Sequence, residues 1–161
     1  MTAEVQPVPE GFHTVTPSLN LKDSLAAIEF YKKAFGAQEL GVLPSPDGKG
    51  TMHAAIQIGD SILMMGDERP DMCDSRSAES LGASPIGLYI YMPNVDAAFK
   101  QAIDAGGAEI MPVADMFWGD RCGTLKDPFG YTWTIATHTR DLSPEEMHQE
   151  AQSFFAAAAK G

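Results

Sequence analysis

Residues 118–137, WGDRCGTLKDPFGYTWTIAT, decide the fold of this chain because they predict a β-hairpin. Residues 119–126 supply a short extended strand, and residues 131–137 supply a second strand in which bulky and small polar side chains alternate. Between them, Pro128 fixes its own φ and Gly130 tolerates a positive φ, which is typical of a tight turn and also fixes the register. One face of the second strand is therefore expected to pack, and the other to line a surface.

The two halves of the sequence predict the same order of elements, namely one strand, one helix and three further strands. Apolar residues at helical spacing end at Gly36 in the first half and at Gly106-Gly107 in the second. Sliding the first half along the chain superposes Gly36-Ala37 on Gly107-Ala108, which supports an internal repeat. The predicted strands are 12–20, 37–42, 51–58, 61–66, 86–92, 108–113, 119–126 and 131–137.

We therefore predict an α+β fold in which two βαβββ repeats form one domain. The repeats are 12–66 and 85–137, and the polar segment 67–84 is expected to be a linker or mobile loop between them. Residues 1–11 are polar and contain prolines, which predicts an N-terminal arm.

The C-terminal tail, 138–161, is expected to form a helix. Ser143-Pro144-Glu145-Glu146 is a capping box with proline in the first turn. Met147, Phe154 and Phe155 lie on one apolar stripe of this helix. Such a stripe needs a surface to cover, which is either its own domain or a second subunit.

The composition limits the classes of partner. With 22 acidic against 11 basic residues the net charge is −11, so neither nucleic acid nor an anionic membrane is expected to bind. No apolar run approaches the ~20 residues that span a bilayer. Cys73 and Cys122 lack metal-type spacing and are expected to be reduced thiols, and we predict a cytoplasmic protein.

The hairpin, taken together with LNLKDSLAAIEFYKKAFGAQEL at residues 19–40, resembles the vicinal-oxygen-chelate superfamily. This superfamily includes glyoxalase I, extradiol dioxygenases, and bleomycin- and fosfomycin-resistance proteins. The segment WGDR at 118–121, followed by DPFG at 127–130, is similar to its PhnB-like branch. The resemblance covers about residues 12–137, and it implies two curved mixed sheets around a cleft. It also favours a homodimer, with the C-terminal stripe against a second subunit, because members of the superfamily commonly pair.

Enzymes of this superfamily hold a divalent ion, and the resemblance places the corresponding positions at Thr16, Met64, Gly87 and Thr134. A methionine, a glycine and two threonines do not make an ordinary divalent-metal site, which needs imidazole or carboxylate donors. We therefore predict that the usual metal site is absent, and we predict no cofactor.

The side chains on the Thr134 face of the strands are expected to line the cleft. By this count the lining consists of Thr14, Ser18, His53, Gln57, Met64, Tyr89, Tyr91, Arg121, Gly123, Thr132 and Thr134. The candidate ligand-binding residues are His53, Gln57, Tyr89, Tyr91, Trp118, Arg121 and Thr134.

Three of these residues have two interpretations each. His53 is the candidate general base, or a structural histidine that is hydrogen-bonded across its hairpin. Arg121 offers a planar fork for a carboxylate or phosphonate, or forms an ion pair with an acidic neighbour. Trp118 lies either at the rim over a ligand or within a core or a dimer contact.

Three functions are compatible with this pattern. The first is a metal-free protein that binds or sequesters a small organic ligand, like the drug-resistance members of the superfamily. The second is an enzyme, either a glyoxalase-type lyase or isomerase with an unusual site or a metal-independent catalyst that uses His53. The third is a dimeric interaction module with a vestigial cleft. We favour the first, because the four positions lack the ligands of a catalytic ion.

Overall fold

The structure is a computed structural model in which residues 5–159 are described. The first four residues of the predicted arm and the last two of the predicted tail lie outside this range. The chain divides into two compact units on either side of the Ser84–Pro85 bond.

The first unit is a four-stranded mixed sheet with one long helix. Its strand order is β1-β4-β3-β2, with β1 parallel to β4 and the other neighbours antiparallel. Asp23 caps α1 by accepting a hydrogen bond from the Ala26 amide, and Gly36 ends the helix with a φ of 67°, as predicted. The elements are β1 Ser18–Leu21, α1 Ser24–Phe35, β2 Gln38–Pro44, β3 Thr51–Ile58, β4 Ser61–Asp67, α2 Pro70–Cys73 and α3 Ala78–Leu81.

The first strand is shorter than the predicted 12–20, because it begins only at Ser18. Pro17 has no backbone N–H to donate to a ladder. The Thr16 hydroxyl donates instead to the His13 carbonyl at 3.1 Å, which closes a local turn. Thr16 therefore precedes the sheet.

The segment predicted as a linker, 67–84, contains two one-turn helices, α2 and α3. The Glu68 carboxylate organises it by accepting hydrogen bonds from the Ser77 amide and the Ser80 hydroxyl, both at 2.6 Å. These bonds, the Ser77 amide first, lower the pKa of Glu68 to about 2. The polar residues that predicted a loop, such as Glu68, Ser77 and Ser80, therefore form hydrogen bonds within this segment.

The second unit repeats the strand order of the first, as β5-β8-β7-β6, which confirms the two βαβββ repeats. Asn94 caps α4 through the Ala97 amide. The elements are β5 Gly87–Tyr91, α4 Val95–Asp104, β6 Ala108–Asp115, β7 Asp120–Lys126, β8 Thr132–His138 and α5 Pro144–Ala158. The α+β class and the C-terminal helix are also confirmed.

The predicted hairpin is β7 and β8, and its turn is held by one buried carboxylate. Asp127 accepts hydrogen bonds from the amides of Phe129 and Tyr131, both at 2.9 Å, and from the Trp133 indole at 2.8 Å. Trp133 is fully buried, as the alternation predicted. The register pairs Leu125 with Trp133.

This register corrects the predicted faces of Arg121 and Gly123. Gly123 pairs with Ile135, and a Cβ built on Gly123 would lie 2.8 Å from the ring of Phe99 on α4. Arg121 shares this face, which packs on α4, and not the face of Thr134. The prediction was wrong by one residue in counting back across the turn.

The capping box of α5 is confirmed, since Ser143 and Glu146 exchange hydrogen bonds at 2.8 and 3.2 Å. The helix has no buried residue within its described length. It contacts its own unit through Phe154 and Phe155, whose ring centroids lie 5.6 and 5.8 Å from that of Phe117. Of the helices in residues 5–159, none combines the length and the apolar character needed to cross a bilayer.

Candidate functional site

Two tyrosines stand on the face of the second sheet opposite α4. Tyr89 pairs with Thr134 and Tyr91 with Ala136, so all four share the face that the alternation assigned to them. The tyrosine rings lie 5.3 Å apart between centroids and remain 45% and 63% exposed. We call this surface the tyrosine face. Exposed aromatic rings at fixed positions provide contact area for a ligand.

A buried carboxylate holds both tyrosines. Asp120, at the start of β7, is only 3% exposed. Its Oδ2 accepts a hydrogen bond from the Tyr89 hydroxyl at 2.7 Å and from the Tyr91 hydroxyl at 3.1 Å. Its Oδ1 lies 2.7 Å from Nδ1 of His138, whose Nε2 lies 3.0 Å from Asp141. The Asp120 carboxylate therefore has three hydrogen-bonding groups around it, and these compensate for the burial of its charge.

The network fixes the protonation of its members. Burial would raise the pKa of Asp120, but hydrogen bonds from the imidazole and the two phenols outweigh it and lower that pKa. Bonds to Asp120 and then to Asp141 raise the pKa of His138. The pKa of Tyr89 is raised by burial and next by the bond to the carboxylate. The phenols are therefore hydrogen-bond donors to an ionised Asp120.

Trp118 lies against this network. Its indole nitrogen donates to the Tyr89 hydroxyl at 3.4 Å. Its ring packs on a small buried cluster formed by Met116, Cys122 and Ala136. The indole is therefore positioned beside the tyrosines by contacts on both sides.

Sequence reasoning missed Asp120 and placed His138 at the start of the C-terminal tail. The turn could have revealed both, because the hairpin register pairs Asp120 with His138 on the face that also carries Thr134. Thr134 itself lies 3.1 Å from Thr124 between hydroxyl oxygens. A correct count back from Asp127 would have placed the acid and the imidazole opposite each other.

Arg121 forms an ion pair with acidic neighbours, which was the second of its two predicted roles. Its guanidinium binds both oxygens of Asp96 at 2.7 and 2.9 Å and approaches Asp115 at 3.4 Å. The bonds to Asp96 raise the pKa of Arg121 further. Arg121 is thus separated by the sheet from the tyrosine face.

His53 and Gln57 lie on the first sheet, in the other unit. His53 pairs with Leu43 and is exposed, and its imidazole makes no hydrogen bond to any part of the chain that the structure describes. Gln57 donates to the Gly59 carbonyl at 3.0 Å across its own turn. The candidates that the structure brings together are therefore Tyr89, Tyr91 and Trp118, with Thr134 beside them.

A separate depression of about 360 Å³ lies between α5 and the loop after β6. Arg140 and Glu150 form a two-bond ion pair at its edge, with both distances 2.8 Å. It is lined by Asp115, Met116, Phe117, Arg140, Glu150, Ser153 and Phe154. No sequence argument pointed to it.

The family model of the Glyoxalase/Bleomycin resistance protein/Dioxygenase superfamily matches residues 11–135. The chain belongs to this superfamily. An uncharacterized protein of Mycobacterium tuberculosis is 38% identical over 141 residues, which cover 86% of this chain and 82% of that protein. An uncharacterized protein of Arabidopsis thaliana is 29% identical over 126 residues, 74% of each chain.

Two solved structures share the fold of this chain. TioX from Micromonospora sp. ML1 aligns with a TM-score of 0.63 at 21% identity, covering 78% of this chain and 98% of TioX. A PhnB protein from Bacillus cereus aligns with a TM-score of 0.59 at 18% identity, covering 78% and 99%. The resemblance drawn from the hairpin and the first helix is thus confirmed.

The divalent ion of glyoxalase-superfamily enzymes does not fit the donors at the corresponding positions. Thr16 precedes β1, Met64 lies on β4, Gly87 begins β5 and Thr134 lies on β8. Met64 is flanked across its neighbouring strands by Ser18 and Ala55, and Thr134 by Tyr89 and Thr124. None of these four is a good ligand for a divalent ion. Within residues 5–159, no three or more His, Cys, Asp and Glu side chains are grouped to hold an ion.

Proposed function

We propose that this member of the glyoxalase/bleomycin-resistance superfamily binds a small organic molecule without a divalent metal. The site is the tyrosine face of the second unit, and the chain sequesters or carries the ligand there. The observation that supports this most directly is the exposed Tyr89–Tyr91 pair, held by the buried carboxylate of Asp120. Immobilised aromatic rings lose little conformational freedom on binding, which favours affinity.

The side chains at the four metal-ligand positions support ligand binding more than metal-assisted catalysis. A glyoxalase-type lyase or isomerase needs an electrophile that polarises its substrate. The hydroxyls of Thr16 and Thr134 and the thioether of Met64 are weak ligands for such an ion, and Gly87 offers no side chain. His53 remains the candidate base of a metal-independent enzyme, but it has no hydrogen-bonded partner among the described residues to orient it.

A thermal-shift screen of chelator-treated protein tests the proposal. Each hit should raise the melting temperature equally with and without added Ni²⁺, Zn²⁺, Mn²⁺ or Fe²⁺. A hit at a hundredfold excess over its dissociation constant should stabilise the protein by about 2.7 kcal/mol. Tyr91→Ala should weaken the hit, and His53→Ala should leave it unchanged.

Two results would reject the proposal. One is an equimolar ion in protein purified without chelator, together with turnover of the methylglyoxal–glutathione hemithioacetal. The other is a hit whose affinity depends on His53 and not on Tyr91. The first result would favour the glyoxalase-type enzyme, and the second would favour the first sheet as the site.

A further inference from the structure

The hydrogen-bond donors of the tyrosine face are already committed to partners. The hydroxyl hydrogens of Tyr89 and Tyr91 both point to Asp120. The indole N–H of Trp118 points to the Tyr89 oxygen, and both imidazole nitrogens of His138 lie against carboxylates. A ligand that needs donors from these side chains would have to break a bond to a buried charge.

The phenol oxygens on the same face can still accept hydrogen bonds. A phenol oxygen that donates its hydrogen still has two lone pairs. The Tyr91 hydroxyl accepts no hydrogen bond from any side chain between residues 5 and 159, and the residue is 63% exposed. The site therefore offers free acceptors beside aromatic surfaces.

The charge of the network formed by Asp120, His138 and Asp141 also favours a ligand that donates hydrogen bonds. His138 carries at most one positive charge, whereas Asp120 and Asp141 carry two negative charges. Arg121 is engaged with Asp96 on the opposite face of the sheet. Lys126 shares the tyrosine face but lies at the other end of β7, about 20 Å along the strand from Asp120. That separation exceeds the screening length of about 8 Å at physiological salt.

We infer that the tyrosine face selects a planar aromatic ligand that carries a protonated amine, and that it discriminates against the carboxylate analogue. The ammonium group donates to the Tyr91 oxygen and is attracted by the residual negative charge. Its aromatic body lies against the phenol rings, which also attract cations through their faces. The inference rests on the proposed function, since it names the ligand class of the same site.

Three isosteric probes test this selectivity by calorimetric titration of chelator-treated protein. They are naphthylmethylamine, naphthylmethanol and naphthoate, which differ in charge and in their capacity to donate. The amine should bind at least about tenfold more tightly than naphthoate, with the alcohol between them. High salt should narrow the difference in affinity between the amine and naphthoate, because screening weakens the attraction between the ammonium group and the network.

Matched variants locate the effect. Tyr91→Phe keeps the ring and removes the acceptor, so it should weaken the amine severalfold and leave naphthoate unchanged. Asp120→Asn should reduce the preference for the amine. Asp96→Asn changes the net charge by the same amount on the opposite face and should preserve the preference. Circular dichroism checks the fold of each variant, and the exposed Tyr91 variant remains informative if Asp120→Asn fails to fold.

The outcomes separate the two proposals. Naphthoate binding as tightly as the amine, or an amine preference that survives Tyr91→Phe and Asp120→Asn, would overturn the inference while leaving the binding function intact. If no probe binds but the thermal-shift screen yields another ligand, the inference alone fails. If neither experiment yields a ligand, both proposals fail.

Discussion

The most consequential residue is Asp120, because one buried carboxylate links two exposed phenols to a histidine. Removing such an acceptor leaves the phenols without fixed partners and His138 with only Asp141. The composition gave no hint of this, since the chain has 22 acidic residues and most acidic residues are solvated. Only the correct register of the hairpin distinguishes Asp120 from the other acidic residues.

The shifted pKa values of His138 and Asp120 predict a pH range in which the pair contributes fully to stability. Because the folded pKa of His138 is raised, its contribution is complete below the unfolded value of about 6.5 and is lost as the pH rises through the folded pKa. Because the folded pKa of Asp120 is lowered, its contribution is complete above about 3.9 and is lost as the pH falls through the folded pKa. Both contributions are complete between about pH 3.9 and 6.5.

The test compares melting temperatures of the wild type and His138→Gln across the pH range. The difference should be largest inside this window and should shrink at higher pH. His148→Gln, on the exposed surface of α5, is the control and should show no such dependence. A difference that grows as the pH rises would mean that His138 contributes as the neutral imidazole.

At the scale of elements, the hairpin shows what the sequence could and could not predict. Its strands, its turn and the buried face of Trp133 followed from alternation and from Pro128 and Gly130. The partner strand was assigned by counting back across the turn, and a one-residue error there exchanges the two faces. That error moved Arg121 to the tyrosine face and hid Asp120.

The turn of this hairpin should be sensitive to one side chain. Asp127→Ala would leave the indole of the fully buried Trp133 and two turn amides without their acceptor. We expect a loss of about 3 kcal/mol in the free energy of unfolding, measured by urea denaturation. Asp127→Asn, which keeps an acceptor oxygen, should retain part of this stability.

The first repeat provides the control for that prediction. Asp60 occupies the corresponding tight turn between β3 and β4, where it is exposed. Within residues 5–159 its carboxylate accepts a hydrogen bond only from the Ser61 hydroxyl. Asp60→Ala should change the free energy of unfolding by less than about 0.5 kcal/mol. Equal losses at both turns would contradict the role assigned to the buried carboxylate.

At the scale of the whole molecule, the two units share a strand order but carry different chemistry. The repeat was predictable because the order of elements and the Gly-Ala matches agreed in both halves. The first sheet carries His53 and Gln57, whereas the second carries the aromatic network. A side-chain network that joins β5, β7 and the end of β8 depends on two registers at once, so an error of one residue in either register hides it. The homodimer and the cytoplasmic location remain predictions.

The most direct test of metal-free binding at the tyrosine face is a two-dimensional NMR titration of chelator-treated protein with naphthylmethylamine. The chain has two indole N–H signals, from partly buried Trp118 and fully buried Trp133, and the variant Trp118→Phe assigns them. We predict saturable shifts of the Trp118 indole and the Tyr91 amide, with the Trp133 indole and the His53 amide unmoved. Shifts confined to His53 and its neighbours, or shifts that require an added divalent ion, would contradict the account.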